Sequence, residues 1–489
     1  MRRILLSVCI LVMAAGGARA QLDTLWTRTF GGAYNDGFQS VIETTDGGFL
    51  AVGYTHSFGE AGTNVYAVKI DGDGNTEWSR AYGGSGRDYG FSVCEIGGGY
   101  AIAGYTTSFG AGREDAYILR ITSAGDTLWT RTWGGPARDE ARSIWATTDG
   151  GLLVGGATES FGSGESDMCV LKFKADGDTL WTRLFGGALS DWGQSVCETA
   201  DGCYGIGGTS GSHTGNRDIY LVKTDAGGNL VWQNYYGSAG DIDPDWGMSI
   251  CATADSGITL TGYQALESKD PGDAIILGTD KNGGQVYLRR YLADYYQYGC
   301  GISVAHDGGL VICGAIKDPA TQKNDLLVAK RVPGSGWLWA ETLGGAGSDW
   351  GSSIVQSQPG CFVMAGHTES FGAGGFDGWI VKMCDAAAAV PAHGDGQGGS
   401  IRLDVDPNPF GSGTNVRFGL AEAGTVTLAI YDTAGRRVAL LTDGPVGPGD
   451  FAACWDSRDD QGRLVAPGVY VARLAVGGAV RTDKLILVK

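Results

Sequence analysis

The chain has 489 residues, 85 of them glycine, and a formal net charge of −18 at pH 7. This length allows a large core and more than one domain. Residues 1–20 carry three arginines and residues 401–489 hold ten basic and ten acidic side chains, which leaves −21 for residues 21–400. A surface this acidic repels phosphate backbones, so we expect no nucleic acid partner.

The first twenty residues predict a signal peptide. Arg2 and Arg3 precede an apolar run from Ile4 to Ala15, and Ala18-Arg19-Ala20 resembles a cleavage site before Gln21. The run is too short to span a membrane, and no second run of about 18 apolar residues follows. We therefore expect a secreted protein without a transmembrane span, located outside the cell or on its outer surface.

Residues 21–384 contain one unit repeated seven times. An aromatic residue marks each copy at successive steps of 52, 51, 52, 51, 55 and 52 residues. The marking residues are Trp26, Trp78, Trp129, Trp181, Trp232, Tyr287 and Trp339. A fixed period of this length indicates a stacked repeat or a propeller.

Each unit contains four short runs with strand character. In the third copy the runs are ARSIWAT, GLLVGGAT, MCVLKF and TLWTRLF, separated by Gly, Asp and Ser. An Asp-Gly pair such as Asp149-Gly150 predicts a two-residue hairpin loop after the first strand. Four strands in about 50 residues form one antiparallel blade, so we predict an all-β, seven-bladed β-propeller.

The phase of the repeat predicts how the ring closes. The array begins with LDTLWTRTF, a fourth strand without the first three, and ends with GWIVKMC, a third strand without a fourth. We expect residues 22–30 to complete the last blade, because a ring leaves no terminal sheet face exposed.

Several copies resemble a known repeat. DGGFLAVGYTHSFGEAG and DTLWTRTFGG are similar to a repeat of secreted bacterial propeller proteins, and Gly207-Gly208, Tyr220 and Trp232 give a fainter likeness to kelch blades. These resemblances imply the propeller architecture and no reaction.

A second domain follows a linker. Residues 385–400 are rich in Ala, Gly and Pro, and residues 401–489 alternate about seven short strand runs with turns, which predicts a β-sandwich. The segments PNPF (Pro407 to Phe410), LAIYDTAGRRVALL and WDSRDDQGRLVAPGVYVARL resemble the FlgD-like immunoglobulin-type domain that also serves as the type A sorting domain of the type IX secretion system. The resemblance implies export by the type IX machinery, although the same fold also serves as a spacer.

Two aspartate series recur in the repeats. We expect them to accept turn N–H groups or to link blades, rather than to form acidic ligand rings. One series precedes the first strand (Asp36, Asp88, Asp139, Asp191, Asp245, Asp349), and the other precedes the third (Asp115, Asp167, Asp218, Asp273, Asp325, Asp377, with Asn64 in the first copy).

Candidate sites lie where the copies differ. The fifth copy has a longer loop in which Asp241, Asp243 and Asp245 alternate, as oxygen ligands of calcium often do, although Pro244 and the lack of a downstream glutamate weaken the match. The sixth copy places Tyr295, Tyr296 and Tyr298 before its first strand, where aromatic side chains could stack on sugars or anchor a partner. The alternative for these tyrosines is a repacked contact between blades.

Cysteine and histidine patterns indicate no catalytic or zinc site. We expect most cysteines to be buried free thiols, because only Cys197 with Cys203 and Cys300 with Cys313 share a hairpin and neither pair is directly opposed. An exported protein could nevertheless form a bridge. The five histidines are scattered without triad or metal-ligand spacing.

The sequence favours a secreted or cell-surface binding or adhesion module over an enzyme. Its ligand would be an extracellular glycan or protein, with calcium as the one cofactor suggested. The alternatives are an extracellular hydrolase or lyase acting on polysaccharide or peptide, and a structural surface-layer component.

Overall fold

The computed structural model describes residues 22–214, 216–237, 245–264, 272–291, 297–318, 321–332, 337–385, 402–406, 414–420, 424–432, 436–446, 449–455, 457–459, 463–476 and 479–487. The described residues form two compact units, one within residues 1–390 and one within residues 391–489. Their regular elements are all β-strands. In the described residues no helix is long and apolar enough to cross a membrane.

The first unit contains seven antiparallel sheets of four strands each, which confirms the predicted number and size of the repeats. Sheet 1 has β2 (Asp36–Glu43), β3 (Phe49–Thr55), β4 (Asn64–Ile70) and β5 (Thr76–Tyr82); sheet 2 has β6 (Asp88–Ile96), β7 (Gly99–Thr106), β8 (Asp115–Thr122) and β9 (Thr127–Trp133); sheet 3 has β10 (Asp139–Ala146), β11 (Leu152–Thr158), β12 (Asp167–Phe173) and β13 (Thr179–Phe185).

The remaining sheets repeat the same order. Sheet 4 has β14 (Asp191–Glu198), β15 (Tyr204–Ser210), β16 (Asp218–Thr224) and β17 (Leu230–Tyr236); sheet 5 has β18 (Asp245–Ala252), β19 (Ile258–Gln264), β20 (Asp273–Thr279) and β21 (Gln285–Tyr291); sheet 6 has β22 (Gln297–Val304), β23 (Leu310–Lys317), β24 (Asn324–Arg331) and β25 (Trp337–Leu343); sheet 7 has β26 (Asp349–Gln358), β27 (Cys361–Thr368), β28 (Asp377–Asp385) and β1 (Leu22–Phe30).

Burial follows the position of a strand in its sheet. The third strands β4, β12, β16 and β20 are buried along their whole length, whereas the fourth strand β5 is exposed or half-buried throughout. Continuous apolar runs therefore form the middle of each sheet, since both faces of a middle strand pack against other sheets.

The N-terminal strand joins sheet 7, as predicted. β1 pairs antiparallel with β28 from Leu22 opposite Asp385 to Phe30 opposite Gly378, with one irregularity between Thr24 and Trp26. The first described strand of the chain is thus the fourth strand of the last sheet.

Contacts between sheets repeat from one junction to the next. Each first strand contacts the first strands of both neighbouring sheets, and β26 of sheet 7 contacts β2 of sheet 1. Asp88 N donates to Thr63 O at 2.8 Å between sheets 2 and 1, and Asp36 N donates to Phe376 O at 2.7 Å between sheets 1 and 7. The junction of sheets 7 and 1 is therefore built like the others.

A second contact repeats on the outer strands. Arg183 Nε donates to Gly228 O of the next sheet at 3.0 Å. Arg28 Nε on β1 donates to Gly74 O of sheet 1 at the same distance. The N-terminal strand thus makes the contact to sheet 1 that a fourth strand makes elsewhere.

The loop after the first strand is longer than predicted. In sheet 3, Thr147 N donates to Gly151 O at 3.0 Å and Gly150 N donates to Thr147 O at 2.9 Å, which encloses the three residues Thr148, Asp149 and Gly150. Gly150 has φ +81. The Asp-Gly pair therefore ends a three-residue loop, because Asp149 Oδ1 also accepts Thr147 Oγ1 at 2.6 Å and holds an extra residue in the turn.

One cysteine expectation is wrong. Cys361 on β27 and Cys384 on β28 lie directly opposite each other and form a disulfide. The pair was not predicted because the two cysteines are 23 residues apart, and the sequence does not show directly that they lie on the two strands of one hairpin. Four cysteines are buried free thiols, as expected: Cys94, Cys169, Cys197 and Cys313.

The described residues of the second unit form seven strands in two antiparallel sheets. One sheet has β29 (Arg402–Asp406), β30 (Thr414–Leu420) and β33 (Gly449–Trp455), and the other has β32 (Arg437–Val446), β31 (Gly424–Asp432), β34 (Gly468–Val476) and β35 (Ala479–Leu487). Side chains of both sheets share one core in which Trp455 lies 5.1 Å from Tyr470 between ring centroids. The predicted sandwich is confirmed at this level.

Candidate functional site

Every first strand of the seven sheets is interrupted at the same place. The register with the second strand shifts by one residue at the third position after the residue that begins the strand, which is an aspartate in six sheets and Gln297 in sheet 6. The extra residue is Gln39, Phe91, Arg142, Gln194, Met248, Cys300 or Ser352. Such a bulge turns side chains out of the regular alternation, and bulges are frequent beside binding sites.

A glycine faces each bulge from the second strand. At Gly104 an added Cβ would overlap the carbonyl oxygen of Tyr89, and at Gly156 it would overlap that of Glu140. The two backbones approach too closely for any side chain. This explains why one glycine recurs in the second strand of all seven copies.

The side chains around these bulges form what we call the inner rim. It comprises the residue after each first-strand aspartate, or after Gln297 in sheet 6, and its partner on the second strand. On the first strands these residues are Gly37, Tyr89, Glu140, Trp192, Trp246, Tyr298 and Trp350, and on the second strands Tyr54, Tyr105, Ala157, Thr209, Tyr263, Ala315 and His367.

Aromatic contacts of the inner rim pass from sheet to sheet. The ring centroids of Tyr54 and Tyr89, in sheets 1 and 2, are 5.0 Å apart. Trp192 and Trp246, in sheets 4 and 5, are 5.6 Å apart, and Tyr263 lies 6.2 Å from Trp246. Aromatic pairs at these distances stabilise one another beyond the area they bury.

Tyr54, Tyr263 and His367 of the inner rim are uncharged near neutral pH. Burial raises the pKa of Tyr54 and of Tyr263 to about 12. Burial also lowers the pKa of His367 to about 4. These residues therefore offer ring faces and neutral polar groups, not charges.

Sheet 3 has Glu140 at the first-strand position of the inner rim where five other sheets have Tyr or Trp, and Glu140 belongs to a charged cluster. The side chain of Glu140 is 4% exposed, and it accepts a hydrogen bond from Arg138 Nε at 2.8 Å and pairs with Arg142 Nη2 at 2.5 Å. The Arg142 guanidinium lies 4.3 Å from the ring centroid of Phe91 in sheet 2. A buried carboxylate held by two guanidinium groups fixes their positions.

A cavity of about 240 Å³ lies beside this cluster. Arg138, Arg142, Ser166, Trp192 and Trp246 are among its lining residues. Drug-sized ligands usually occupy roughly 300–1,000 Å³. The cavity can therefore hold one ring-sized group of a larger ligand.

One polar atom at the cavity is buried without a hydrogen-bond partner among the described residues. It is Ser166 Oγ, on a residue that is 3% exposed. An unsatisfied buried polar group costs about 1–3 kcal/mol. A ligand that bonds to this atom would recover that energy.

The aspartate series have the structural role expected of them. Asp88 accepts Gly84 N at 2.8 Å and Ser108 Oγ at 2.7 Å, and it is fully buried. Asp115 accepts the backbone N–H groups of Ala111 and Gly112 at 3.1 and 3.0 Å. These carboxylates tie down loops, so they are not available as a ligand ring.

The structure describes two of the six site residues predicted from the loops. Asp245 begins β18, is 2% exposed and accepts Gln264 Nε2 at 3.0 Å, like the other first-strand aspartates. Asp241 and Asp243 lie outside the described residues, so calcium stays a prediction. Within the described ranges no group of three or more His, Cys, Asp or Glu side chains is placed to hold a metal ion.

The tyrosine prediction is corrected in one respect. Tyr298 is the second residue of β22, not part of the preceding loop, because Gln297 takes the place of the usual first-strand aspartate. Its ring lies 5.4 Å from Tyr263, within the inner rim. Tyr295 and Tyr296 lie outside the described residues.

The rest of the inner rim was missed, although the sequence contains a signal for it. The position after the first-strand aspartate or Gln297 reads Gly, Tyr, Glu, Trp, Trp, Tyr and Trp through the seven copies. Such variation beside a nearly constant residue indicates a surface that the fold does not dictate.

The C-terminal unit matches a known family. Residues 407–478 match the FlgD Ig-like domain. The match covers most of the second unit and none of the seven sheets. It confirms the domain type expected from the sequence.

Comparisons for the whole chain are distant. The chain is 24% identical over 274 residues to the regulatory protein FlaEY of Caulobacter vibrioides, which covers 51% of this chain and 28% of that protein. A fungal alcohol oxidase of the AA5 family has a TM-score of 0.48 at 13% identity and covers 96% of this chain and 100% of its own.

A surface protein is also similar. PorZ, a surface component of the type IX secretion system of Porphyromonas gingivalis, has a TM-score of 0.27 at 9% identity, and the match covers 96% of this chain and 86% of PorZ. Both TM-scores lie below 0.5, so neither likeness carries a functional argument.

Proposed function

We propose that the protein is a secreted binding or adhesion module whose seven sheets close into a β-propeller and whose inner rim binds an extracellular glycan. The cavity lined by Trp192 and Trp246 is the observation that carries the proposal. Ligand sites in closed β-architectures are commonly formed where the inner strands begin and loops converge.

Closure of the ring is supported by the equivalence of its junctions. The cycle of contacts between first strands returns from β26 to β2. Val41 N donates to Ser353 Oγ across the junction of sheets 7 and 1, as Ile144 N donates to Ser92 Oγ between sheets 3 and 2, each at 3.2 Å. A ring of seven blades accounts for these repeated contacts.

A glycan suits the chemistry of the inner rim. Sugar rings present apolar C–H faces that pack on aromatic rings, and their hydroxyl groups bond to charged and neutral polar side chains. Trp192 and Trp246 supply the rings, while Glu140 with its two arginines and Ser166 supply the polar groups. A purely apolar ligand would leave Ser166 Oγ unsatisfied.

A glycan array tests the proposal with one tryptophan variant and a matched control. We expect Trp246→Ala to weaken glycan binding at least about tenfold, since loss of an aromatic anchor commonly costs more than about 1 kcal/mol. Trp145→Ala should bind like the unchanged protein, because Trp145 is exposed at the opposite end of β10. Thermal melting checks that both variants fold. Absence of glycan binding, or equal binding by both variants, would contradict the proposal.

The alternative functions remain distinguishable. A hydrolase or lyase would turn over a polysaccharide or peptide in a substrate panel, and a surface-layer component would self-associate without ligand. Glycan binding without substrate turnover and without self-association of the protein would support a binding or adhesion module.

We also propose that the C-terminal unit directs export through the type IX secretion machinery. Support comes from the FlgD Ig-like match at residues 407–478 and from the predicted signal peptide. Deleting residues 401–489 should retain the protein inside the producing cell. Normal display of the shortened chain on the cell surface would refute the sorting role.

A further inference from the structure

We infer that the cavity between sheets 3, 4 and 5 selects a sugar residue that carries a carboxylate, a uronate, within the bound glycan. The inference rests on the proposed function, because it specifies the ligand of the same site. Its basis is the charged cluster that only the third copy of the repeat supplies at the inner rim.

The guanidinium group of Arg142 is fixed in place by its neighbours, but some of its N–H donors remain available to a ligand. Among the described residues its polar contact is one carboxylate oxygen of Glu140, at 2.5 Å, and its Cζ lies over the ring of Phe91, 4.3 Å from the centroid. A guanidinium has five N–H donors in a fixed plane, which suits a second carboxylate. Glu140 and Phe91 thus orient Arg142 before a ligand arrives, which lowers the entropy cost of binding.

Arg217 adds a second positive charge next to the cavity. Its guanidinium lies 4.4 Å from the ring centroid of Trp246 and 5.2 Å from that of Trp192, and its side chain is exposed. The described residues place no carboxylate within ion-pair distance of it. A charge held over two indole rings is positioned for an anionic ligand.

Guanidinium groups gather at the cavity although the surrounding unit is acidic. Arg138 and Arg142 line it beside Glu140 and Glu159, and Arg217 lies over Trp246. Glu114 also acts on Arg138. Residues 21–400 as a whole carry −21. A single carboxylate can therefore pair with a guanidinium group at this point, whereas a dense polyanion is repelled by the remaining surface.

Ser166 supplies a neutral contact for the same sugar. It is 3% exposed, its Oγ has no partner within the described part of the chain, and it lines the cavity. A sugar hydroxyl can both donate to and accept from this group. Ser166 is therefore expected to stabilise the complex and to destabilise the free protein.

Isothermal titration calorimetry on the mature full-length protein tests the inference. The probes are an oligosaccharide with one glucuronate among neutral sugars, its carboxyl-reduced counterpart in which glucose replaces glucuronate, and a sulfated neutral counterpart. We expect the glucuronate probe to bind at least about tenfold more tightly than the reduced probe, which is the range for one charge-assisted hydrogen bond.

Three variants locate the effect. Arg142→Gln should abolish the preference for glucuronate, and Arg131→Gln should keep it, because Arg131 lies exposed on the outer strand β9 over Trp129. Ser166→Ala should weaken both sugar probes severalfold while raising the melting temperature of the free protein. A purely structural serine would not shift affinity and stability in opposite directions.

The outcomes separate this inference from the proposed function. Equal affinity for the glucuronate and reduced probes, or an unchanged preference in Arg142→Gln, overturns the carboxylate while leaving glycan binding intact. Tighter binding of the sulfated probe also overturns it. If neither sugar probe binds and the glycan array is empty, the proposed function fails as well.

Discussion

Side chains at the sheet junctions bring acidic groups close together. Asp325 and Asp349, from sheets 6 and 7, both approach Gly344, where an added Cβ would meet a carboxylate oxygen of each. Burial and then the charge of Asp349 raise the pKa of Asp325 to about 6. In sheet 1 the equivalent residue is Asn64, so the fold accepts an amide at this position.

We predict that Asp325→Asn stabilises the protein at neutral pH. A folded-state pKa above the ordinary value means that folding binds a proton between about pH 4 and pH 6, so the free energy of unfolding falls as pH rises through that range. The amide of Asn cannot ionise, so it avoids this loss in the free energy of unfolding, which we place at about 1 kcal/mol after allowing for solvent screening. Denaturant unfolding of both proteins at pH 4 and pH 7.5 measures the difference in free energy of unfolding.

The control for this substitution is Asp377→Asn. Asp377 accepts the N–H groups of Ala373 and Gly374 at 2.9 and 3.2 Å, so neutralising it should destabilise the protein at pH 7.5. A gain from both substitutions, or a gain from Asp325→Asn that is equal at both pH values, would argue against the charge repulsion.

Single strands carry the connection between the two ends of the repeat array. The indole of Trp26 on β1 lies against Gly74 of sheet 1, as the indole of Trp181 lies against Gly228 of sheet 4. The disulfide between Cys361 and Cys384 joins β27 to β28, and β28 is the strand that pairs with β1. A covalent link at this sheet limits the freedom of the unfolded chain and holds β28, on which β1 pairs.

We predict that a chain starting at Ala33 melts at a lower temperature than one starting at Gln21. Loss of β1 exposes the partner strand β28 and removes the burial of Trp26, roughly 1.5–3 kcal/mol, plus about 1 kcal/mol for each lost hydrogen bond. Differential scanning calorimetry of both chains measures the change. Identical melting curves would show that β1 is dispensable.

Local patterns were sufficient to predict the strands and their number. The runs quoted for the third copy correspond to β10, β11, β12 and β13, and the phase of the repeat predicted the partner of β1. The loop at Asp149-Gly150 was predicted one residue too short, since the bond from Thr147 to Asp149 depends on a side-chain geometry that periodicity does not contain.

The candidate binding site could not be predicted from the sequence, because its residues come together only in the folded protein. Arg142 lies in sheet 3, Ser166 directly precedes strand β12 of the same sheet, and Trp246 lies in sheet 5, up to about a hundred residues further along the chain, yet they line one cavity. The bulges that redirect these side chains follow from contacts between strands, not from the order of residues in one copy. The disulfide between Cys361 and Cys384 also depends on the register between two strands, so it was not predicted.

The proposed propeller requires its seven sheets to close into one ring, because an open array would leave sheets 1 and 7 with uncovered faces. Hydrogen–deuterium exchange of the full chain, read out on residues 22–30 and on the equivalent fourth strands Thr127–Trp133 and Thr179–Phe185, measures this. We expect the three segments to exchange at similar, slow rates. Exchange of residues 22–30 at the rate of an unfolded peptide, with the other two protected, would contradict a closed ring.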